Sequence, residues 1–171
     1  THRERAAYVY VRQSTMHQVR HHLESQRRQY ALAERARQLG FSEVIVIDAD
    51  LGQTGSTAEG RRGFQDLVTR VTLGQVGIIF SYDVTRLSRN CPDWYQLLDL
   101  CGFRHCLIGD RDGFNDPSSI NGRLLLGLKG QISELELHTI KARLTAGLLN
   151  KARRGELALI LPVGLVRDEL G

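Results

Sequence analysis

Arg12 and Ser14 stand two residues apart directly after a short apolar run at 7–11, and Arg86 and Arg89 stand three apart shortly after another, Val76–Phe80. In an extended backbone, residues two apart face the same side; on a helical turn, residues three apart share a face. Should both pairs meet, three guanidinium groups would surround one hydroxyl. Like charges gathered in this way repel, and a bound phosphate dianion or diester offsets the repulsion because guanidinium offers it bidentate hydrogen bonds. Inside such a cage a serine hydroxyl can attack phosphorus, with fixed positive charge stabilising the oxygens as charge grows on them. Spacing alone does not separate this chemistry from ordinary strand-end polarity at Arg12 to Thr15, or from a solvated first helical turn at Arg86 to Arg89.

The elements that would have to position these groups alternate in type. Residues 7–11 are β-branched and aromatic and read as a buried strand that ends in polar residues. From about 23 to 39, Leu23, Tyr30, Ala33, Ala36 and Leu39 fit one face of a helix, and Gly40 stops it. Val44–Ile47 is a second strand, running into a loop of Asp, Gly, Ser and Thr at 48–57. Phe64, Leu67, Val68 and Val71 mark a second helix before Gly74, and Val76–Phe80 a third strand. Pro92 suits the first turn of a helix running to about Leu100, followed by a strand at 106–108 and a loop rich in Asp, Gly and Pro. Strands alternating with helices predict an α/β fold with a mostly parallel central sheet of four to five strands flanked by helices. The carboxyl ends of such strands share one edge, where the sites of α/β proteins usually lie.

The last third differs. From Ser119, a fitting N-cap, to Arg154 there is no proline, and Leu124, Leu128, Ile132, Leu135, Leu144 and Leu148 recur at helical spacing. A single helix of this length spans roughly 50 Å and protrudes from a domain of this size. Gly127 and Gly130 each cost about 1 kcal/mol in a helix interior, so a break there into two shorter helices is the competing reading. A protruding apolar stripe implies a partner chain.

Composition bounds the rest. The 171 residues, 42% of them hydrophobic, suffice for one α/β core with appendages. Lys and Arg outnumber Asp and Glu by 23 to 19, a net charge of +4, which is too mild to identify a polyanion-binding protein. Cys91, Cys101 and Cys106 are odd in number and lack paired CxxC spacing, against both a disulfide framework and a zinc site, and a reducing compartment follows. No apolar run approaches the roughly 20 residues of a membrane span, and the start lacks a signal segment, so a cytoplasmic location is expected. His17, His21 and His22 have no further ligand at suitable spacing and read as solvent-facing rather than metal-binding. Trp94 and Phe64 fall on apolar helical faces and read as core. Lys151, Arg153 and Arg154 either meet phosphates of a polyanion or answer the helix dipole.

Several separated segments resemble the serine recombinase family, which includes resolvases, invertases, phage integrases and certain transposases. TyrValArgGlnSerThr at 10–15 is similar to the family's opening Tyr-x-Arg-x-Ser-Thr, implying Ser14 as nucleophile and Arg12 as a contact to the scissile phosphate, with Tyr10 beside them. LeuGluSerGlnArgArg at 23–28 resembles a helix start that puts Gln26 near the site, and AspLeuGlyGlnThrGlySer at 50–56 resembles an Asp-x-x-x-Ser-Gly loop, with Asp50 as its acidic member and Thr54 where Ser is commoner. ThrArgLeuSerArgAsn at 85–90 resembles Asp-Arg-Leu-x-Arg, implying Arg86 and Arg89 as phosphate ligands. Residues 133–140 resemble the family's long-helix segment, with Glu136 in the Glu position. Residues 151–164 resemble the junction at which larger members pass into a DNA-binding portion.

The resemblance implies a catalytic body at 1–118, an oligomerisation helix at 119–155 and the start of a linker at 156–171. It implies cleavage and rejoining of double-stranded DNA through a 5′-phosphoseryl link, without metal, nucleotide or other cofactor, by dimers that assemble into a tetramer on DNA. It implies no membrane partner. Two departures stand out. Thr85 occupies the place where many members carry an Asp, for which Asp83 either compensates or serves only as a loop residue; Leu137 replaces an Arg after the helix Glu. Two other readings remain: a catalytically silent DNA-binding or assembly module of the same fold, and a small phosphate-ester hydrolase, against which the long helix speaks.

Overall fold

A computed structural model of the chain describes residues 1–11, 23–50, 62–87 and 91–156, without the side chains of 23–26, 28, 29 and 86. Within these, the apolar runs form β1 (Ala6–Tyr10), β2 (Val44–Ile47), β3 (Val76–Phe80), β4 (Leu107–Gly109) and a two-residue β5 (Phe114–Asn115). They make one sheet in the order β2-β1-β3-β4-β5. β1 pairs in parallel with β2 and β3, β3 in parallel with β4, and only β5 runs antiparallel. β5 lies within the segment expected to be a plain loop, which folds back on β4 through the turn at 110–113.

β1 and β3 are buried along their whole length, as the central strands of a sheet covered on both faces must be. Alternation divides their side chains. Ala7, Val9, Ile78 and Phe80 face α1 (Leu23–Gln38), where they meet Leu32, Ala33 and Ala36. Tyr8, Tyr10 and Ile79 face the other layer, packing with Phe64, Leu67 and Val71 of α2 (Arg62–Thr72) and Trp94, Leu97 and Leu98 of α3 (Cys91–Phe103). Tyr30, expected on the buried stripe of α1, is instead 40% exposed. Its ring lies outside the core because its hydroxyl reaches beyond β2 and donates to Asp48 Oδ2 at 2.9 Å.

α4 (Ile120–Arg153) is one unbroken helix. Ser119 caps it, its hydroxyl accepting the Gly122 N–H at 3.0 Å. The glycines do not interrupt it. A Cβ at Gly130 would collide with the Trp94 indole, whose Nε1 donates to the Leu126 carbonyl at 3.1 Å; the glycine permits this close approach. By contacts the chain divides into two compact units, Thr1–Glu134 and Leu135–Gly171. In the second, Leu135, Leu137, Ile140, Leu144, Leu148 and Leu149 are all between 49% and 67% exposed. No helix among the described residues is long and apolar enough to cross a membrane.

Candidate active site

The carboxyl ends of β1, β2 and β3 lie side by side, and each leads into a segment that carries a candidate group. β1 ends at Tyr10, and buried Val11 continues the pairing, its N–H donating to the Ile47 carbonyl at 2.8 Å. Arg12 and Ser14 follow directly but lie outside the described residues, as do Thr54, Arg89 and the three histidines at 17, 21 and 22. Gln26 falls in the first turns of α1 and Arg86 closes a short 3-10 turn; the side chains of both are outside the description.

Past the end of β2, Asp50 is 2% exposed, unusual for a carboxylate. Three donors compensate. Oδ2 accepts the Tyr10 hydroxyl at 2.6 Å and the Phe64 N–H at 3.0 Å, and Oδ1 accepts the Gly63 N–H at 3.0 Å. Two of these are orphan amides of the first turn of α2, where a negative charge also meets the favourable end of the helix dipole. Gly63 is required at this crossing: a Cβ there would lie 2.7 Å from Ile47 Cγ2 and 3.1 Å from Asp50 Oδ2. Asp50 thus ties the end of β1, through Tyr10, to the start of α2. Tyr10 also packs edge-on against Phe64, with ring centroids 6.2 Å apart. These contacts fix the Tyr10 side chain two residues before Arg12.

Past the end of β3, Ser81 is buried and donates from Oγ to the Asp83 carbonyl at 3.0 Å. Asp83, in extended conformation, caps the 3-10 turn Val84–Arg86. Its Oδ1 accepts both the Thr85 N–H at 3.0 Å and the Thr85 hydroxyl at 2.8 Å. Val84 and Leu87, on either side, are fully buried. The turn that ends in Arg86 is therefore anchored by two apolar side chains and closed by a carboxylate.

A fourth strand end holds a residue the sequence reading passed over. Asp110, after β4, is 2% exposed. Oδ1 accepts the N–H groups of Asp112 at 2.9 Å and Gly113 at 3.2 Å, and Oδ2 lies 2.6 Å from Lys129 Nζ. Partial burial opposes the charge on Lys129, but the bond to Asp110 and the nearby Asp112 outweigh it and raise the lysine above its usual 10.5. The Asp-x-Asp-Gly at 110–113 is a turn signal in which an Asp side chain bonds amides two and three residues on; Lys129 lies too far along the chain for spacing to reveal it. Glu136, expected in support, is exposed and belongs to the unit Leu135–Gly171. Lys151, Arg153 and Arg154 are likewise exposed at the end of α4, with Arg154 paired to Glu156 at 2.9 Å. Among the described residues no three His, Cys, Asp or Glu side chains are grouped as a metal site.

The family model for the resolvase N-terminal domain matches residues 7–157. The chain belongs to the resolvase family. Over 167 residues this resolvase-family domain is 52% identical to the uncharacterized protein y4bA/y4pH of Sinorhizobium fredii. That match takes in 96% of the chain but 24% of the relative, so the chain spans about a quarter of the relative's length. Among solved structures the domain is similar to a resolvase family site-specific recombinase from Streptococcus pneumoniae, with a TM-score of 0.56 and 22% identity over 87% of this chain and 99% of the other. It is also similar to the N-terminal catalytic domain of TP901-1 integrase, with a TM-score of 0.53 and 21% identity over 79% of this chain and 98% of the other. At these identities both likenesses are of fold alone.

Proposed function

We propose that this resolvase-family domain cuts and rejoins double-stranded DNA, with Ser14 as the nucleophile. The observation that carries the reading is the strand order. β1, which leads to Arg12 and Ser14, lies between β2, which leads to Asp50, and β3, which leads to the Arg86 turn, and all three are parallel.

In the proposed step the Ser14 oxygen bonds to a backbone phosphorus and gives up its proton, while the bond from phosphorus to the 3′ oxygen breaks and that oxygen takes up a proton. The products are a 5′-phosphoseryl link and a 3′ hydroxyl. Rejoining is the reverse, with a 3′ hydroxyl attacking and Ser14 leaving. Because one ester replaces another, the bond energy is kept and no nucleotide is consumed. Arg12, Arg86 and Arg89 hold the phosphate and stabilise its oxygens as charge grows. Gln26 and Asp50 support them, Asp50 by fixing Tyr10 and so the path of the chain into Arg12. The exposed leucines at 135–149 suit burial against a second copy, in keeping with dimers that form a tetramer on DNA, and residues from 156 onward begin the linker to a DNA-binding region.

The test incubates the full-length parent protein with duplexes taken from the flanks of its own coding locus and resolves the products under denaturing conditions. A covalent protein–DNA adduct is expected, absent in Ser14→Ala with the circular dichroism of the native protein. Duplexes that are bound but never linked would favour the silent module, to which Thr85, hydrogen-bonded to Asp83 rather than carrying a carboxylate itself, gives some support.

A further inference from the structure

The turn at 110–113 gathers groups from three other elements. Lys129 of α4 reaches Asp110 Oδ2 at 2.6 Å and stands 3.6 Å from Asp112 Oδ2. Arg35 of α1 donates from Nη1 to the carbonyls of Asp110 at 3.1 Å and Arg111 at 3.2 Å. Just past β3, the Ser81 N–H donates at 3.0 Å to the carbonyl of Gly109, the last residue of β4 before the turn, and the Arg111 guanidinium lies over the Tyr82 ring, 5.6 Å from its centroid. Tyr82 directly precedes Asp83, the cap of the turn that ends in Arg86.

The division of labour on Asp110 matters. One carboxylate oxygen shapes the turn, through the amides of 112 and 113; the other meets the cation of α4. The same buried side chain therefore fixes both the form of the turn and the register of the helix. A shift of α4 that withdrew Lys129 would leave the carboxylate buried without its counter-charge, an unfavourable state that the turn relieves by opening. Opening moves Arg111, and with it the packing on Tyr82.

We infer that Asp110 is a positioning residue, through which the placement of α4 at Lys129 sets the geometry of the turn bearing Arg86. The inference rests on the reading of Arg86 as a phosphate ligand and adds what controls it: the same four-residue turn answers to α4 through Lys129 and to α1, the helix of Gln26, through Arg35. Coupling of this kind needs an element with two arrangements; the structure shows the turn closed on Lys129, and the inference requires that it open when Lys129 is withdrawn.

Hydrogen exchange of the full chain, resolved to segment 81–87, tests this without DNA. Lys129→Met and Asp110→Asn should each speed exchange at the Thr85 and Leu87 amides by about fivefold or more, with β1 and β3 unchanged. Lys129→Arg, which keeps the cation, should stay near the native rate. Arg111→Ala, at an exposed side chain, should speed exchange in 81–87 and leave 120–134 protected, and combining it with Lys129→Met should add little. Unchanged exchange in 81–87 in Lys129→Met or in Arg111→Ala overturns the inference, as does an equal rise throughout the sheet. The rate of adduct formation in the same variants reads the function separately. Faster exchange with no adduct from any protein, the native one included, sinks the cleavage reading and leaves the coupling standing, whereas normal adduct formation with unmoved exchange does the opposite.

Discussion

Two stretches of one helix carry similar leucine periodicity and meet different surroundings. In residues 120–134 of α4, Gly122, Leu126 and Gly130 form a row four residues apart, and two of them, Gly122 and Leu126, are buried. Around that row Trp94 donates to the Leu126 carbonyl, Arg123 pairs with Asp99, Gln131 bonds the Tyr95 hydroxyl and Lys129 meets Asp110. In residues 135–153 every position is exposed. The stripe that periodicity picks out, Leu124, Leu128, Ile132 and Leu135, is exposed in both stretches. The lesson is that the docked row is marked by the glycines on either side of Leu126 and not by the stripe of large side chains that periodicity picks out. Glycine lets the helix backbone approach α3 closely, and the larger apolar side chains are left facing outward for another surface.

The largest effect expected from this difference is at Leu126. Replacing it with alanine removes a fully buried side chain and should destabilise the chain by about 2–5 kcal/mol in urea unfolding. Leu144→Ala, at a side chain 63% exposed, should change the stability of the single chain by no more than about 0.5 kcal/mol. Comparable losses at the two positions would mean that the second stretch is buried in solution, and a concentration-dependent midpoint for the native chain alone would assign that burial to a second copy.

Glycine substitutions sharpen the contrast because they should differ in sign. Gly130→Ala drives a methyl into the Trp94 ring and should destabilise by about 1–3 kcal/mol. Gly147→Ala meets nothing within 4 Å and removes a poor helix former, so it should stabilise by up to about 1 kcal/mol. Thermal unfolding of the two variants beside the native chain reads both. A neutral Gly130→Ala would show that α4 slides on α3, and the argument for a fixed register at Lys129 would weaken with it.

Much of the architecture is legible from local pattern. The apolar runs read at 7–11, 44–47 and 76–80 form strands, the first at 6–10, because they are short, β-branched and bounded by polar turns, and Ser119 and Gly40 bound helices by local chemistry that needs no distant partner. What escaped is nonlocal. Gly127 and Gly130 read as helix penalties because the Trp94 ring that makes the second of them necessary lies 36 residues away in sequence, 130 against 94. Asp110 read as loop polarity because its counter-charge sits on another helix. Tyr30 fitted the apolar face of α1 by spacing, yet its hydroxyl found Asp48. Of the site, Asp50 was singled out by its motif, whereas its burial and its three donors from Tyr10, Gly63 and Phe64 become visible only when β1, β2 and α2 are brought together.

The smallest effect concerns the boundary between the two stretches, and it is chemical. Cys91 opens α3, and its thiol donates to Glu134 Oε2 at 2.7 Å, Glu134 being the last residue of the first compact unit. That hydrogen bond foremost, then burial and the carboxylate's charge, raise the thiol above its usual 9.0. Since the protonated form is favoured on folding, this contact adds stability below pH 9.0 that is lost as the pH rises through the thiol's higher folded value. It also suppresses the reactive thiolate. Alkylation with iodoacetamide at pH 8, followed by peptide mass analysis, should label Cys91 slowly and spare the buried Cys101 and Cys106. Glu134→Gln should speed labelling of Cys91 alone and flatten the rise of its rate with pH between 8 and 10. An unchanged rate would place the end of the docked stretch before residue 134, because a carboxylate already free in water would neither hold the thiol proton nor repel the thiolate.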